Sequence, residues 1–415
     1  MTGECAATLE SGLIRSGTKT FRHVNLALFA SGFVTFVSLY AVQPLLPVFA
    51  REFGVSPVHA SLPLSIATGA MAVCMLVAGT VSETWGRKPI MTVSLVLTSL
   101  LAILTAFSQT FTTLVVVRLF QGIVLSGLPS VALAYLNEEV DQSSVGEAVG
   151  LYISGNAIGG VTGRILTAAL TDLFSWRVAL GSIGVICLGL TLVFIHTLPP
   201  PTRLERRPFQ TGYLVTSLVQ HLREPGLASL FGLAFVAMGG FVTLYNYLTF
   251  RLIARPYGLS QTIVSLVFVV YFIGSGSATT AGRLVNRFGR CAIIRFSLTV
   301  MLAGVLLTLA KPLFWVIAGV ALFTGGFFGA HAVASGWVGR RAKTALAQAS
   351  SLYFFFYYLG SSISGTLGGF FWIHGGWYGV AGLIGVMTVA ALCITVRLSR
   401  LTEVRKLPLL SHSLE

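Results

Sequence analysis

Two arginines lie inside long apolar segments, where a charged side chain is costly and usually faces a partner or a water-filled cavity. For Arg118 we favour a functional role, in proton transfer or in anion binding. The alternative is a buried arginine whose donors are satisfied by helix carbonyls. Arg164 precedes Asp172 by about two helical turns, which places both side chains on one helix face. These two residues therefore form an internal ion pair, or Arg164 lines a cationic cavity suited to anionic or zwitterionic ligands.

His331 is the only histidine deep in an apolar segment, and small residues surround it in GGFFGAHAVASG. Histidine titrates near physiological pH, so His331 is a candidate proton carrier. The alternative is a hydrogen-bonded core histidine with no role in transfer. The candidates for proton coupling are therefore Arg118, His331, Asp172 and Arg164.

Aromatic and amide side chains form a second constellation in the apolar segments. Tyr40 and Tyr245 lie too deep in theirs for interfacial anchors, and tyrosine offers a ring face with a hydrogen-bonding tip. We therefore predict a substrate-binding wall, with plain packing as the alternative. Its candidate residues are Tyr40, Gln43, Gln121, Asn156, Tyr245, Asn246, Tyr271, His331, Tyr353 and Tyr357.

A polar segment interrupts the apolar sequence twice, as GTVSETWGRK from Gly79 and as GRLVNRFGR from Gly282. Glycines allow helices to approach closely, and basic residues pair with acids or anchor at anionic head groups. We predict a gate at the cytoplasmic ends of two helices, with simple anchoring of the topology as the alternative. The gate residues are Gly79, Glu83, Gly86, Arg87, Lys88, Gly282, Arg287, Gly289 and Arg290.

Helix breakers and small residues also predict where helices bend or pack. Pro44 and Pro129 remove backbone donors and are expected to bend their helices. Gly155, Gly159 and Gly163 recur at four-residue spacing, which predicts a smooth helix face. That face is either a sliding seam between two halves of the protein or a site of tight static packing.

The elements that must position these residues are membrane helices. Of the 415 residues, 55% are hydrophobic and 10% charged, compared with about 25% charged in a soluble domain. A spanning helix needs about 20 mostly apolar residues, and such windows recur about twelve times. The first begins near Val24 and is too long for a signal-peptide core, so we expect no cleavable signal peptide. The predicted boundaries are an N-terminal tail at 1–23, a first six-helix half at 24–198, a cytoplasmic linker at 199–226, a second six-helix half at 227–398 and a C-terminal tail at 399–415.

The formal net charge of +14 sets the topology rather than indicating a nucleic-acid partner. Most of the 27 lysines and arginines fall on the side that holds both termini, which predicts that both tails are cytoplasmic. The five cysteines are scattered singly without metal-ligand spacing, so we expect no metal site. The basic residues outside the spans on the other side are Arg51, Arg177, Arg251, Arg255 and Lys311.

The chain repeats itself in parallel. FVSLY, ending at Tyr40, matches FVTLY, ending at Tyr245, 205 residues later, and Trp176 matches Trp377 at an offset of 201. Because the offset shrinks steadily along the chain, the first helix of one half aligns with the first helix of the other. The sequence therefore predicts an all-α integral membrane fold of 12 helices in two parallel six-helix repeats.

These motifs resemble those of the major facilitator superfamily. GTVSETWGRK is similar to the family's G-x-L-a-D-R-x-G-R-K loop, with Glu83 and Thr84 replacing the usual aspartate and arginine. The segment from Arg118 to Gly122 resembles R-x-x-Q-G, and GNAIGG resembles the antiporter motif G-P-x-x-G-G, with Asn156 in place of proline. The resemblance covers nearly the whole chain and extends to the drug:H+ antiporter and arabinose-efflux-like branch, including its YnfM-like inner-membrane group.

The resemblance implies a secondary transporter of a bacterial inner membrane, with proton-coupled efflux of a small molecule as the leading function. It also implies a link to proton transfer for Arg118, because the matching arginine has that role in transporters that this chain resembles. Facilitated or proton-symport uptake is the first alternative, and a transporter-like sensor is the second. We expect no enzyme activity, because HExxH and GxSxG are absent, and no ATP-driven pump, because GxxxxGK[ST] is absent. The expected energy source is a proton gradient without cofactors, and the expected partners are a small-molecule substrate and membrane lipids, with a monomeric chain.

Overall fold

The structure is a computed structural model that describes residues 13–202, 211–342 and 344–404. Ten helices in this part of the chain are long and apolar enough to cross a membrane. Gln142–Leu173 adds another long helix, and the last of the ten is two helices joined at Gly376, where φ is 53°. The described residues therefore contain twelve membrane helices, and the predicted all-α major facilitator fold is confirmed.

The first half contains six membrane helices, two of which are interrupted. A 3-10 turn at Gln43–Leu45 divides the first, and a break before Pro129 divides the fourth. The helices are α1 (Lys19–Tyr40), α2 (Leu46–Glu52), the short α3 (Pro57–Ala60), α4 (Leu62–Trp85), α5 (Arg87–Ala106), α6 (Phe111–Leu125), α7 (Pro129–Glu139), α8 (Gln142–Leu173) and α9 (Trp176–Thr197).

The second half repeats this order after a helix in the segment predicted as linker. Its second membrane helix is interrupted by a 3-10 turn at Leu266–Val270, and its last two are continuous across Gly376. The helices are α10 (Thr211–Arg223) in the linker, then α11 (Pro225–Ile253), α12 (Gln261–Ser265), α13 (Tyr271–Phe288), α14 (Arg290–Leu307), α15 (Leu313–Arg341) and α16 (Leu346–Val404).

The breaks lie where the sequence removes backbone donors. Pro44 and Pro129 lack an N–H, so each lies at the start of a new helical segment rather than inside one. The predicted bends at both prolines are confirmed. The interruption of α1 leaves carbonyls of its last turn without helical donors, which matters for Arg118 below.

Successive membrane helices alternate in direction, so the described chain begins and ends on one side of the bundle, called here the terminal side. The other side is called the opposite side. The segment before α1 is held on the terminal side by the turn between α7 and α8. There the Ile14 N–H donates to the Glu139 carbonyl at 2.9 Å, and the Asp141 N–H donates to the Ile14 carbonyl at 2.9 Å.

Matched contacts show the parallel repeat. In the first half a Cβ at Gly127 would lie 2.3 Å from Ser94 Oγ, and in the second a Cβ at Gly329 would lie 2.8 Å from Ser297 Oγ. Both pairs join the third membrane helix of a half to the fourth, at offsets of 203 residues for the serines and 202 for the glycines. The two halves therefore use the same small-residue contact at equivalent depths.

The glycine face of α8 packs on α1 in the same half. A Cβ at Gly159 would lie 2.5 Å from the Phe33 carbonyl oxygen, and a Cβ at Gly360 would likewise meet the Phe235 carbonyl oxygen in the second half. The glycines therefore permit backbone-to-backbone packing inside each half. Tight packing is the correct alternative, and the interpretation as a sliding seam between the halves is wrong for Gly155, Gly159 and Gly163.

Candidate functional site

Arg164 lies at the centre of the contact between the halves. Its side chain projects from α8 and is 2% exposed. The Nε–H donates to Gln43 Oε1 at 2.7 Å, and Nη1 donates to the Gly160 carbonyl at 2.7 Å. Both acceptors are neutral, so the guanidinium charge is not compensated by a carboxylate among the described residues.

Aromatic rings from both halves surround this guanidinium. Its central carbon lies 4.2 Å from the ring centroid of Tyr40, 4.7 Å from that of Phe268 and 5.1 Å from that of Tyr271. Ring faces attract a cation at these distances, so the cage partly offsets the cost of burying the charge. The structure brings Arg164, Gln43, Tyr40 and Tyr271 together, and their role as a cavity lining stays a prediction.

A single amide extends the Arg164 network across the two halves. Gln43 Nε2 donates to Asn246 Oδ1 at 2.8 Å, and Asn246 lies on α11 in the second half. Asn246 Nδ2 is buried without a hydrogen-bond acceptor in the described part of the chain. Arg164, Gln43 and Asn246 therefore form one hydrogen-bonded chain that ends in an unused donor.

Asp172 does not pair with Arg164, so the internal ion pair is a wrong alternative. Instead, its carboxylate accepts from the Thr262 N–H at 2.8 Å and from Thr262 Oγ1 at 2.6 Å. Thr262 belongs to the short α12 of the second half. Asp172 therefore closes a second contact between the halves, nearer the opposite side than Arg164.

Arg118 lies in a different environment, entirely within the first half. It donates to the carbonyls of Pro63 at 3.0 Å, Ser38 at 2.8 Å and Leu39 at 2.7 Å, and also to Gln121 Oε1. Two of these carbonyls belong to the last turn of α1, which has no further helical donors. Arg118 thus acts as the cap of an interrupted helix, and Gln121 shares its network. The cavity beside it measures about 10 Å³ and is lined by Ser38, Ala41, Val42, Ala102, Thr105, Arg118, Gln121, Leu180 and Ile183.

His331 lies in the second half, against tyrosines of α16. Its Nδ1 is 2.9 Å from Tyr353 Oη, and its ring centroid is 4.8 Å from that of Tyr357. A cavity of about 10 Å³ adjoins the imidazole, room for about one water molecule. The structure therefore places His331, Tyr353 and Tyr357 together, as a group separate from Arg118.

A wall of rings links the His331 group to the Arg164 cage. The Phe327 ring lies 5.7 Å from His331 and 4.0 Å from Phe241, and Phe241 lies 5.5 Å from Tyr271, all between centroids. Tyr245 joins the same wall through Tyr271 at 5.0 Å. The sequence interpretation missed the phenylalanines, although Phe241 belongs to the repeated FVTLY segment and was visible there.

Asn156 lies away from this wall. Its side-chain oxygen would be 2.5 Å from a Cβ at Gly32, which places it between α8 and α1 inside the first half. That oxygen is buried without a hydrogen-bond partner among the described residues. The geometry therefore does not place Asn156 on the aromatic wall, and Gln121 lies in the Arg118 network rather than on that wall.

In the first polar segment, Arg87 closes an ion-pair cluster within one half. It donates to Glu138 at 2.6 Å and to Ser82 Oγ at 2.5 Å, with Glu83 farther away at 3.7 Å. Lys88 donates to the carbonyls of Ile195 and Leu198 at the end of α9. The sequence interpretation missed Glu138 as the main partner, because 51 residues separate it from Arg87.

The second polar segment shares the turn but lacks the acidic cluster. Gly86 has φ of 104° and Gly289 has φ of 81°, so each glycine makes the reversal between two helices. The position of Glu83 is taken by Asn286, and Arg290 lies over the Trp337 ring at 5.7 Å instead. Arg287 lies over Phe288 at 5.1 Å, and Gly79 and Gly282 face open space, with no atom within 4 Å of an added Cβ.

The recorded hydrogen bonds between the two halves lie at mid-depth and toward the opposite side. Among the described residues, the hydrogen bonds that join them are Gln43 to Asn246 and Asp172 to Thr262. The ion pairs on the terminal side close within one half, as Arg87 with Glu138 does. In this conformation the hydrogen-bonded contact between the halves therefore lies at the central site and on its opposite side.

Comparisons with known proteins agree with this architecture. The family model of the Major Facilitator Superfamily matches residues 28–252 and 230–411. The chain is 49% identical over 387 residues to the MFS-type transporter YybF of Bacillus subtilis (strain 168), covering 93% of this chain and 96% of that protein. It is 44% identical over 387 residues to the inner membrane transport protein YnfM of Escherichia coli (strain K12), covering 93% of each.

A solved structure has the same fold at low sequence identity. It is the bacterial homolog of the human lysosomal transporter Spinster, in an inward-facing and occupied conformation, with a TM-score of 0.73 at 16% identity, covering 92% of this chain and 98% of that one. The resemblance inferred from the motifs is thereby confirmed. The chain belongs to the major facilitator superfamily, and it is a multi-pass membrane transporter rather than an enzyme.

Proposed function

We propose that this protein is a secondary active transporter that exports a small molecule by alternating access in exchange for protons. The observation that carries the proposal is the asymmetric contact between the halves. Hydrogen bonds join them at mid-depth and toward the opposite side, whereas the ion pairs of the terminal side stay within each half. Rocking the halves about the central contact exposes the same site to each side in turn.

The terminal side is the cytoplasmic side in this proposal, and the membrane is a bacterial inner membrane. The excess of lysine and arginine on that side supports the orientation. The proposed domain boundaries remain 24–198 and 227–398 for the two halves, with 1–23, 199–226 and 399–415 as cytoplasmic tails and linker. The chain works as a monomer without cofactors, because each copy holds both halves of the transport path.

Proton exchange is assigned to the His331 group. His331 bonds to Tyr353 beside a small cavity, and the aromatic wall connects it to the Arg164 cage. An imidazole that gains a proton there changes the charge next to the transport path, which changes the relative stability of the two conformations. Arg118 receives a supporting role in this scheme, because its donors are already occupied by carbonyls.

The substrate path runs along the aromatic wall. Tyr40, Tyr245 and Tyr271 converge at the cage, and Tyr353 and Tyr357 converge at His331. Rings with polar tips bind a small molecule by stacking and by a few directed hydrogen bonds. The two polar segments form the cytoplasmic gate, with the Arg87 cluster holding the ends of the first-half helices in register.

The test uses inside-out membrane vesicles energised to an acidic lumen, with a fluorescent reporter of the pH gradient. A panel of sugars, amino acids, organic anions, nucleosides and antimicrobials is added, and vesicles without the protein are the control. A compound that dissipates the gradient only when the protein is present supports proton-coupled export. Protein-dependent flux that does not depend on the pH gradient would indicate facilitated uptake instead. Specific binding without any flux would indicate a sensor.

The role of His331 is tested in the same vesicles with His331→Gln. We expect substrate binding to persist while gradient-driven flux falls by at least about tenfold, because the glutamine keeps polarity but cannot titrate. The matched control is His374→Gln, since His374 is exposed and its recorded hydrogen bond among the described residues goes to the Phe370 carbonyl. Unchanged coupling in His331→Gln would remove this residue as the proton carrier.

A further inference from the structure

Among the described residues, Arg164 has a buried guanidinium with two recorded acceptors and no carboxylate, whereas the equally buried Arg118 has four acceptors. Arg164 is 2% exposed, yet its two recorded acceptors are an amide oxygen and a backbone carbonyl. Arg87 of the first polar segment, by contrast, is paired with the Glu138 carboxylate. A buried charge needs a counter-charge or a full set of hydrogen bonds, and the described residues supply neither to Arg164.

The donors of Arg164 are only partly used. A guanidinium carries five N–H groups, and its recorded bonds occupy Nε and one N–H of Nη1. Nη2 has no acceptor within the described chain. The two nitrogens Nη1 and Nη2 form the planar fork that binds a carboxylate in bidentate fashion.

The amide that accepts from Arg164 also forms one of the hydrogen bonds between the halves. Gln43 accepts from Arg164 with its oxygen and donates to Asn246 with its nitrogen, at 2.8 Å. Asn246 Nδ2, in turn, is a buried donor with no acceptor among the described residues. Unused donors thus lie at both ends of one amide bridge, which is the arrangement expected where an acceptor is missing.

Further aromatic rings adjoin this site. Phe36 lies one turn before Tyr40 on α1, toward the terminal side, and their ring centroids are 5.8 Å apart. Phe328 contacts Tyr271 at 5.9 Å, and both phenylalanines are half-buried. A planar ligand with an apolar body and an anionic end matches these surroundings better than a cation, which the guanidinium would repel.

We infer that the transported molecule is an organic acid whose carboxylate binds Arg164 and displaces Gln43. The inference rests on the proposed transport function and names its substrate class. The carboxylate supplies the missing counter-charge through the Nη1 and Nη2 fork, and the substrate body stacks along the aromatic wall. Because Gln43 also holds Asn246, its displacement weakens the bond between the halves, so binding favours their separation on the opposite side.

The first test measures binding to the full-length protein in lipid nanodiscs by calorimetric titration. The ligands are benzoate, its uncharged isostere benzamide, and inorganic phosphate. We expect benzoate to bind at least about tenfold more tightly than benzamide, because only the carboxylate compensates the guanidinium. Equal binding of benzoate and benzamide, or binding of phosphate in preference to benzoate, overturns the inference.

Two substitutions separate a binding role from a structural one. Arg164→Gln is expected to lose benzoate binding, whereas the matched control Arg177→Gln, an arginine at the start of α9 paired with Glu52, is expected to keep it. Gln43→Ala is expected to tighten benzoate binding by about tenfold, because it removes the competing acceptor. A merely structural Gln43 would instead give weaker or unchanged binding, and that result also overturns the inference.

Different results would contradict the proposed substrate class and the proposed transport function. Tight benzoate binding with no protein-dependent change of the vesicle pH gradient keeps the carboxylate site and removes proton exchange. A gradient response to an uncharged sugar, with no benzoate binding, removes the carboxylate site and keeps the transporter. Gln43→Ala covers the case in which Arg164→Gln does not fold. The glutamine is the first residue of a short 3-10 turn, and its replacement leaves the arginine in place.

Discussion

At the scale of single residues, the two membrane arginines solve the same problem in different ways. Arg118 binds three backbone carbonyls, two of which are left free by the end of α1, so its charge and the helix end satisfy each other. Arg164 has a ring cage and two neutral acceptors. The first arrangement is complete within the protein, and the second is completed by a ligand in our proposal.

Replacing Arg118 is therefore expected to affect stability before it affects transport. Arg118→Leu leaves three buried carbonyls without donors and should lower the free energy of unfolding by about 3 kcal/mol. Arg118→Lys should lose less, because an ammonium still reaches some of these oxygens. Thermal unfolding of the purified protein measures the stability of both variants. If Arg118→Leu keeps normal stability but loses proton coupling, the arginine is assigned to proton transfer instead.

Glu224 gives a pH-dependent contribution outside the membrane helices. Partial burial acts to raise the pKa of its carboxyl, but hydrogen bonds from Arg341 and the Leu227 N–H outweigh it, and the pKa lies below its usual value of 4.5. A lowered carboxyl pKa stabilises the folded state above the unfolded pKa, and this stabilisation is lost as the pH falls through the folded pKa.

The corresponding variant is Glu224→Gln. We expect it to cost about 1 kcal/mol at pH 7, the usual contribution of a helix N-cap, and the difference from wild type should shrink as the pH falls below about 4. Melting temperatures across pH measure this effect. Glu83→Gln is the control, since the Glu83 carboxylate lies 3.7 Å from Arg87. A loss of stability in Glu224→Gln that does not depend on pH would contradict the ionic explanation.

At the scale of elements, the repeated glycine of the polar segments makes a turn. Gly86 and Gly289 both have positive φ with ψ near 150°, a region that side chains avoid, and each directly precedes the first residue of a helix. The sequence predicted two equivalent glycines from their spacing, but attributed them to close helix packing. Spacing reveals equivalence, whereas the backbone conformation at a position depends on how the flanking helices are oriented.

Gly86→Ala tests the turn. The alanine must adopt a conformation that only glycine tolerates well, so we expect a loss of about 1–3 kcal/mol in the free energy of unfolding. Gly79→Ala is the matched control in the same segment, because a Cβ there meets no atom within 4 Å. Equal stability of the two variants would show that the turn relaxes at no cost.

At the scale of the whole molecule, the sequence predicted the features that repeat and missed those that depend on tertiary contacts. The slowly shrinking offset between FVSLY and FVTLY is sufficient for two parallel halves, because it follows from the chain alone. The carbonyls around Arg118, the Thr262 partner of Asp172 and the packing of Asn156 on Gly32 require the neighbouring helices to be placed first. The position of a polar residue inside an apolar segment indicates that it is buried, but the packing of the helices determines its partner.

The closed contact on the opposite side can be locked covalently. A Cβ at Gly69 in the first half would lie 3.5 Å from Ser362 Cβ in the second, within the range of a disulfide. In Gly69→Cys with Ser362→Cys we therefore expect a spontaneous cross-link that cuts transport at least about tenfold, because the halves can no longer part there. Transport should return on reduction, and each single cysteine variant is a control for the added side chain. Full transport by the cross-linked protein would show that the halves do not separate on this side, which would contradict alternating access.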